Sequence, residues 1–158
     1  MFIKNLIFKI IYFLILIYIL IFVPTIFGHK PLVIISNSMN PVLKVGGILY
    51  YENIDLNELK VGDILVYKTK AHIISHRIVE IKEEGFITKG DANNTIDSNL
   101  INKNQVLGKG TNWSIPFLGY YADFIYTHKY LLVISIGLLI IDFVTEKKEG
   151  KRYEKKIE

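Results

Sequence analysis

Cysteine is absent from all 158 residues, which excludes disulfides, thiol catalysis and cysteine-ligated metal sites and leaves the redox compartment unmarked. No Pro-, Gly- or Ser-rich linker separates a second domain, and no internal repeat is present. Net charge is nearly missing from the middle of the chain, where the 102 residues from Gly28 to Lys129 carry 11 Lys+Arg against 10 Asp+Glu. That balance argues against a nucleic-acid partner. Charge vanishes entirely over the 18 residues from Ile10 to Phe27. What the chain has in quantity is apolar residues: a composition 51% hydrophobic and 13% aromatic excludes a disordered protein. Part of that total belongs to the uncharged run, so the middle holds one modest core.

The run Ile10 to Phe27 is longer than the apolar part of a cleavable signal peptide and ends Val23-Pro24-Thr25-Ile26-Phe27-Gly28 without an A-x-A pattern, so it reads as a retained anchor. Lys4 and Lys9 precede it, which places the N-terminus in the cytoplasm and the following domain across the membrane. A second apolar stretch, Tyr130 to Ile141, reaches Val144 only by including Asp142 and is short for a span of about 20 residues. A helix starting near Tyr126, with His128 and Lys129 reaching to the headgroups, would be long enough to cross. The alternative is a helix lying on the membrane surface. From Glu146 onward six basic residues face four Glu, a composition suited to a cytoplasmic tail.

Between these ends the pattern is all-β. Leu32 to Ile35, Gly47 to Tyr51, Ile64 to Tyr67 and Phe86 to Thr88 are short apolar runs bounded by turn residues. The longest predicted strand, His72 to Lys82, alternates so that His72, Ile74, His76 and Ile78 share one face. Gly90 to Asn99 is polar and reads as a loop, where site residues gather. Phe117, Tyr120, Tyr121, Phe124 and Tyr126 form a candidate interfacial aromatic belt.

Ser36-Asn37-Ser38-Met39-Asn40-Pro41 follows the first strand, and Pro41 predicts an extended loop presenting hydroxyls. Ser38 lies ten residues past Gly28, so at roughly 3.3 Å per residue it stays within about 33 Å of the anchor's end. Alone, a loop serine is usually a turn former. A serine nucleophile needs a base and a group that orients the base, and His76 and Asp97 could supply them. A strand histidine is more often structural. His72 and His76 have the spacing of helical zinc ligands, yet on a strand they stand about 13 Å apart. Asp91 to Asp97 opens like a calcium loop but has Ile96 and Asn102 where Gly and Glu are required. No metal and no cofactor is expected.

In this order the pieces resemble type I signal peptidases of the archaeal and endoplasmic-reticulum branch. Ser36 to Pro41 is similar to the S-G-S-M-x-P box, Val61-Gly62-Asp63-Ile64-Leu65-Val66-Tyr67 to G-D-[IV]-x-x-[FY], Ser75-His76-Arg77-Ile78-Val79 to H-R-[IV], and Thr88-Lys89-Gly90-Asp91-Ala92-Asn93 with Asp97 to K-G-D-x-N and its trailing aspartate. Bacterial and mitochondrial relatives carry Lys as base where this chain has His76. The resemblance implies a mainly β fold: a small signal-peptidase-like β-domain, with an N-terminal transmembrane helix and a C-terminal transmembrane or interfacial helix. It implies Ser38 as nucleophile, His76 as general base and acid, and Asp97 as its orienting acid, with Asp91 as a supporting or alternative acid. The backbone N–H of Ser38 and the Ser36 hydroxyl would form the oxyanion hole. Asn37 departs from the family's Gly, but Asn tolerates the left-handed region better than most residues.

The expected organisation is a cytoplasmic start and anchor over 1–28, a catalytic β-domain over 29–115, an aromatic interfacial segment over 116–129, a second transmembrane helix over 130–145 and a basic cytoplasmic tail over 146–158. The implied substrates are secretory precursors cut after a small-x-small motif; the bilayer and the translocation machinery are the further partners. The β-domain would lie on the extracytoplasmic face, in the cell membrane of an archaeon, with the endoplasmic reticulum or a bacterial membrane as alternatives. A precursor could add as a strand beside Leu32 to Ile35, with Met39 dipping into the lipid boundary. The competing classes are a non-catalytic binding or scaffold relative in the secretion pathway and a metal-dependent hydrolase built on His72, His76, Asp91 and Asp97.

Overall fold

The computed structural model describes the backbone of residues 2–157 and the side chains of residues 3–148. Helix α1, Phe2–Phe22, continues through a 3-10 turn, Val23–Phe27, that Pro24 opens and Gly28 closes in the left-handed conformation. Seven antiparallel strands follow: β1 (Lys30–Val33), β2 (Ile48–Glu52), β3 (Ile64–Lys68), β4 (Ile73–Lys82), β5 (Gly85–Lys89), β6 (Ile101–Asn102) and β7 (Val106–Gly110). They form one sheet in the order β1-β2-β7-β3-β4-β5-β6. Two helices close the chain, α2 (Leu118–Thr127) and α3 (Lys129–Ile157). The fold is therefore mainly β with an apolar N-terminal helix and C-terminal helices, as the sequence pattern indicates.

The chain divides into two compact units. One is Ile21–Asp123 and the other joins Met1–Leu20 to Phe124–Glu158. In the first, alternation along the strands sends side chains to two cores. Ile64 and Val66 of β3 pack with Ile34, Met39, Leu43 and Leu49, while Leu65 and Tyr67 pack with Leu59, Ile78, Phe86 and Ile101. Met39 is 1% exposed, so it anchors the turn that follows β1 and does not reach toward lipid. This corrects the expectation for Met39: its thioether fills the core beneath Ser38.

β7 was not legible as a strand, because Val106-Leu107-Gly108-Lys109-Gly110 has two glycines in five residues. Those glycines are what admit it between β2 and β3. A Cβ on Gly108, whose φ is +152°, would stand 2.0 Å from the Glu52 carbonyl oxygen. The β3–β7 register shifts between Val66 and Tyr67 at this point.

In the second unit, α1 and α3 meet through an ion contact of 2.7 Å between Lys4 and Asp142. The Asp142 side chain is buried, and the contact is one of charge rather than a directed hydrogen bond. The expected helix start near Tyr126 is not observed: the helix breaks at His128, between α2 and α3. The His128 ring stacks on Phe124 at 4.6 Å, with its Nδ1 3.0 Å from the Phe124 carbonyl oxygen. This capping of the preceding turn ends α2.

Candidate active site

β4 carries His76. Its pairing sets His76 opposite Leu65 of β3 and Ile78 opposite Thr88 of β5, so His76, Ile78 and Thr88 fall on the face of the Phe86 core. Arg77 points to the other face. His76 is 8% exposed and lines a cleft. The loop after β5 folds back so that the Asp97 N–H donates to the Thr88 carbonyl at 2.9 Å. That bond brings Asp97 Oδ2 to 2.6 Å from His76 Nδ1. With Nδ1 engaged by the carboxylate, Nε2 is the ring nitrogen left for a proton-transfer partner.

Two further hydroxyls surround the same carboxylate oxygen. Thr88, fully buried, donates from Oγ1 to Asp97 Oδ2 at 2.6 Å, and the Tyr67 hydroxyl lies 3.5 Å from it. Burial pushes the Tyr67 phenol up to about 12, opposed by the Thr88 hydrogen bond and assisted by the Asp97 charge. It is neutral at any working pH. Neither hydroxyl was singled out as a site residue by sequence. The available signal was a polar residue at an inward position of β5, two after Phe86, where alternation calls for an apolar one.

Asp91 lies at the other end of the loop and faces a different partner. Arg77 donates to it from Nε at 2.8 Å and from Nη2 at 2.6 Å, and also bonds the Gly62 carbonyl from Nη1 at 2.6 Å. The paired carboxylate raises the Arg77 pKa further above its ordinary value. Asp91 thus ties the loop to β4 and to the turn before β3, and does not meet His76.

The serine segment is a compact turn, in place of the extended loop expected from Pro41. The Asn40 N–H bonds the Asn37 carbonyl and the Leu43 N–H bonds the Met39 carbonyl, each at 2.9 Å. Burial of Met39 and Leu43 draws the chain inward and overrides the extended bias. The turn docks on the loop after β5, where the Ala92 N–H donates to the Ser38 carbonyl at 2.8 Å. Gly90 makes this approach possible, since a Cβ there would stand 2.6 Å from the same oxygen. Ser36 Oγ and Ser38 Oγ are 3.2 Å apart. Asn37 is exposed, and among the described residues Phe117 is the non-glycine with positive φ, so position 37 does not require glycine.

Ser36, Ser38 and His76 line one cleft of about 300 Å³, walled by Leu32 to Ile35 on one side and His72 to Ser75 on the other. No hydrogen bond joins Ser38 to His76 among the described residues. Such bonds are often long before substrate tightens them. His72 is exposed, outside β4, and among the described residues no three His, Asp or Glu side chains gather as a metal site would need.

No protein-family model matches the chain. Individual proteins do. It is 31% identical over 128 residues to signal peptidase I W of Bacillus subtilis, covering 72% of this chain and 67% of that protein. It is 34% identical over 127 residues to the signal peptidase complex catalytic subunit SEC11 of Lodderomyces elongisporus, covering 70% and 75%.

The chain belongs to the type I signal peptidase family. The SEC11 subunit of Candida albicans is similar at 33% identity over 126 residues, 71% of this chain and 75% of that one. As a signal peptidase of the endoplasmic-reticulum and archaeal type, the chain is a serine-type peptide hydrolase. The aligned length exceeds the 62-residue stretch from Ser36 to Asp97 over which the four motif boxes fall, so the signal peptidase likeness extends beyond them.

Proposed function

We propose that the chain is a membrane-anchored endopeptidase that removes N-terminal signal peptides from secretory precursors after a small-x-small motif, with Ser38, His76 and Asp97 as its catalytic triad. The observation that carries this reading is the 2.6 Å contact between His76 and Asp97 at a cleft that Ser38 also lines. His76 Nε2 takes the proton as Ser38 Oγ attacks the scissile carbonyl, and returns it to the leaving amine. Asp97 holds the Nδ1–H tautomer and stabilises the imidazolium. The tetrahedral oxyanion is received by the Ser38 N–H and the Ser36 hydroxyl, whose Oγ already stands beside the nucleophile. Asp91 has a supporting role, holding the loop through Arg77.

The substrate slot fits an extended chain. β1 is the last strand of the sheet on its side, and its continuation to Ile35 forms one wall of the cleft. A precursor segment adding along it would gain backbone hydrogen bonds, while the apolar walls admit small side chains.

The anchor is Ile3–Phe27, 25 residues long and apolar enough to cross a membrane. α3 is read as a second crossing, because the Lys4–Asp142 pair neutralises the charge that interrupts its apolar run. The catalytic unit then lies outside, both termini in the cytoplasm and the exposed aromatics Phe117, Tyr120, Phe124 and Tyr126 at the interface. Secretory precursors are the substrates, and the translocation machinery that delivers them is a partner.

Cleavage of a test precursor in liposomes decides the chemistry. Ser38→Ala and His76→Ala are each expected to lower the rate at least a thousandfold while the chain stays folded. A Ser38→Ala chain that cleaves as well as the unaltered one refutes the serine mechanism and favours a binding or scaffold role. Topology can be read with single cysteines, since the chain has none of its own. In intact cells a membrane-impermeant thiol reagent is expected to label Lys103→Cys and spare Lys148→Cys; labelling of both places the tail outside.

A further inference from the structure

The Asp97 carboxylate is fixed by more than the histidine it orients. Thr88 is fully buried on β5, and its hydroxyl has one proton to give. At 2.6 Å that proton goes to Asp97 Oδ2, the same oxygen that meets His76 Nδ1. The Thr88 carbonyl meanwhile accepts the Asp97 N–H at 2.9 Å, so one residue of a paired strand holds both the backbone and the carboxylate of a loop residue. The Tyr67 hydroxyl, 3.4 Å from Thr88 Oγ1 and 3.5 Å from Asp97 Oδ2, closes the group at longer range.

We propose that Thr88 is a positioning residue of the catalytic site, whose hydroxyl sets the angle of the Asp97 carboxylate and through it aims the His76 imidazole at Ser38. The proposal rests on the triad reading above. Asp97 sits on a polar loop of exposed and half-buried residues, and without an anchor its carboxylate could rotate among solvent-facing positions. A strand hydroxyl with no exposed surface supplies that anchor. It also takes up part of the charge on the carboxylate oxygen that meets His76. The groups facing His76 that bear on its titration are Asp97, Tyr67 from β3 and His72 along the cleft, with Lys70 lining a second cleft that His76 and Asp97 share.

The test compares the full chain in detergent with Thr88→Val, which keeps the shape and removes the donor, and Thr88→Ser, which keeps the donor. Thr88→Val is expected to lower kcat about ten- to a hundredfold, the scale of one hydrogen bond to a charged group, with KM within twofold. Its acidic limb should move to higher pH, because an uncompensated carboxylate stabilises the imidazolium. Thr88→Ser should restore both. In an Asp97→Asn background, Thr88→Val should cost little more, since it acts through Asp97. Independently of turnover, the His76 imidazole followed by NMR should titrate at higher pH in Thr88→Val. An unchanged His76 midpoint overturns the proposal even in a chain that cleaves nothing, as does full additivity with Asp97→Asn. Loss of activity in Ser38→Ala and His76→Ala alongside an unaffected Thr88→Val would leave the triad standing and remove Thr88 from it. A fully active Ser38→Ala refutes the triad and this role with it.

Discussion

The two ends of the loop after β5 hold carboxylates six residues apart, and they meet different partners. Asp91 accepts two hydrogen bonds from the Arg77 guanidinium, whose third arm reaches the Gly62 carbonyl. Asp97 accepts from a histidine and a buried hydroxyl, with a ring nitrogen of that histidine left free for chemistry. The partners decide the roles. A guanidinium stays charged at any physiological pH and can only brace, whereas an imidazole can change charge within a catalytic cycle. Adjacent residues of β4 supply both partners, and the alternation of the strand sends them to opposite faces. One loop is therefore pinned to β4 at both ends, through a guanidinium at Asp91 and through an imidazole at Asp97.

Exchanging the effects of these two residues would break the comparison. Asp97→Asn is expected to lower kcat about 10²- to 10⁴-fold with the fold intact, because an amide cannot hold the Nδ1–H tautomer or balance the imidazolium. Asp91→Asn is expected to act on stability instead, by about 1–3 kcal/mol, since it leaves a half-buried guanidinium without its countercharge. Thermal or urea unfolding in detergent measures the second, and precursor cleavage well below the unfolding temperature measures the first. A folded Asp91→Asn chain that loses more activity than Asp97→Asn would reverse the assignment.

Much of this site was legible because the motif boxes name residue types whose chemistry is narrow. Ser38, His76 and Asp97 stand out in the motifs by residue type, and the fold brings His76 to Asp97 and both serines to one cleft. The strands β2 to β5 were legible by alternation. β7 was not, since the glycines that let it enter the sheet erase its strand signature. The turn at Ser36–Pro41 departs from the extended loop its proline favours, because that local bias is outweighed by burial of Met39 and Leu43, which depends on residues far along the chain. Which of Asp91 and Asp97 meets His76 is not legible in the sequence either. It depends on the return of the loop along β5, a contact made by the Asp97 N–H and the Thr88 carbonyl.

The smallest expected effect sharpens the account of Asp97. Tyr67→Phe removes a hydroxyl 3.5 Å from Oδ2, a distance at which a hydrogen bond is weak, so kcat should stay within about threefold of the unaltered chain. Its larger signature is at high pH. The Tyr67 phenol titrates near 10 when unfolded and at about 12 in the fold, so the folded chain binds one more proton in that interval. Stability from this group is whole below pH 10 and is lost as pH rises toward 12. Phenylalanine has no proton to lose, and the alkaline loss of stability should be shallower in Tyr67→Phe when unfolding is followed from pH 9 to 12. A steep fall in kcat at neutral pH would show instead that the tyrosine, beside Thr88, holds the carboxylate in place.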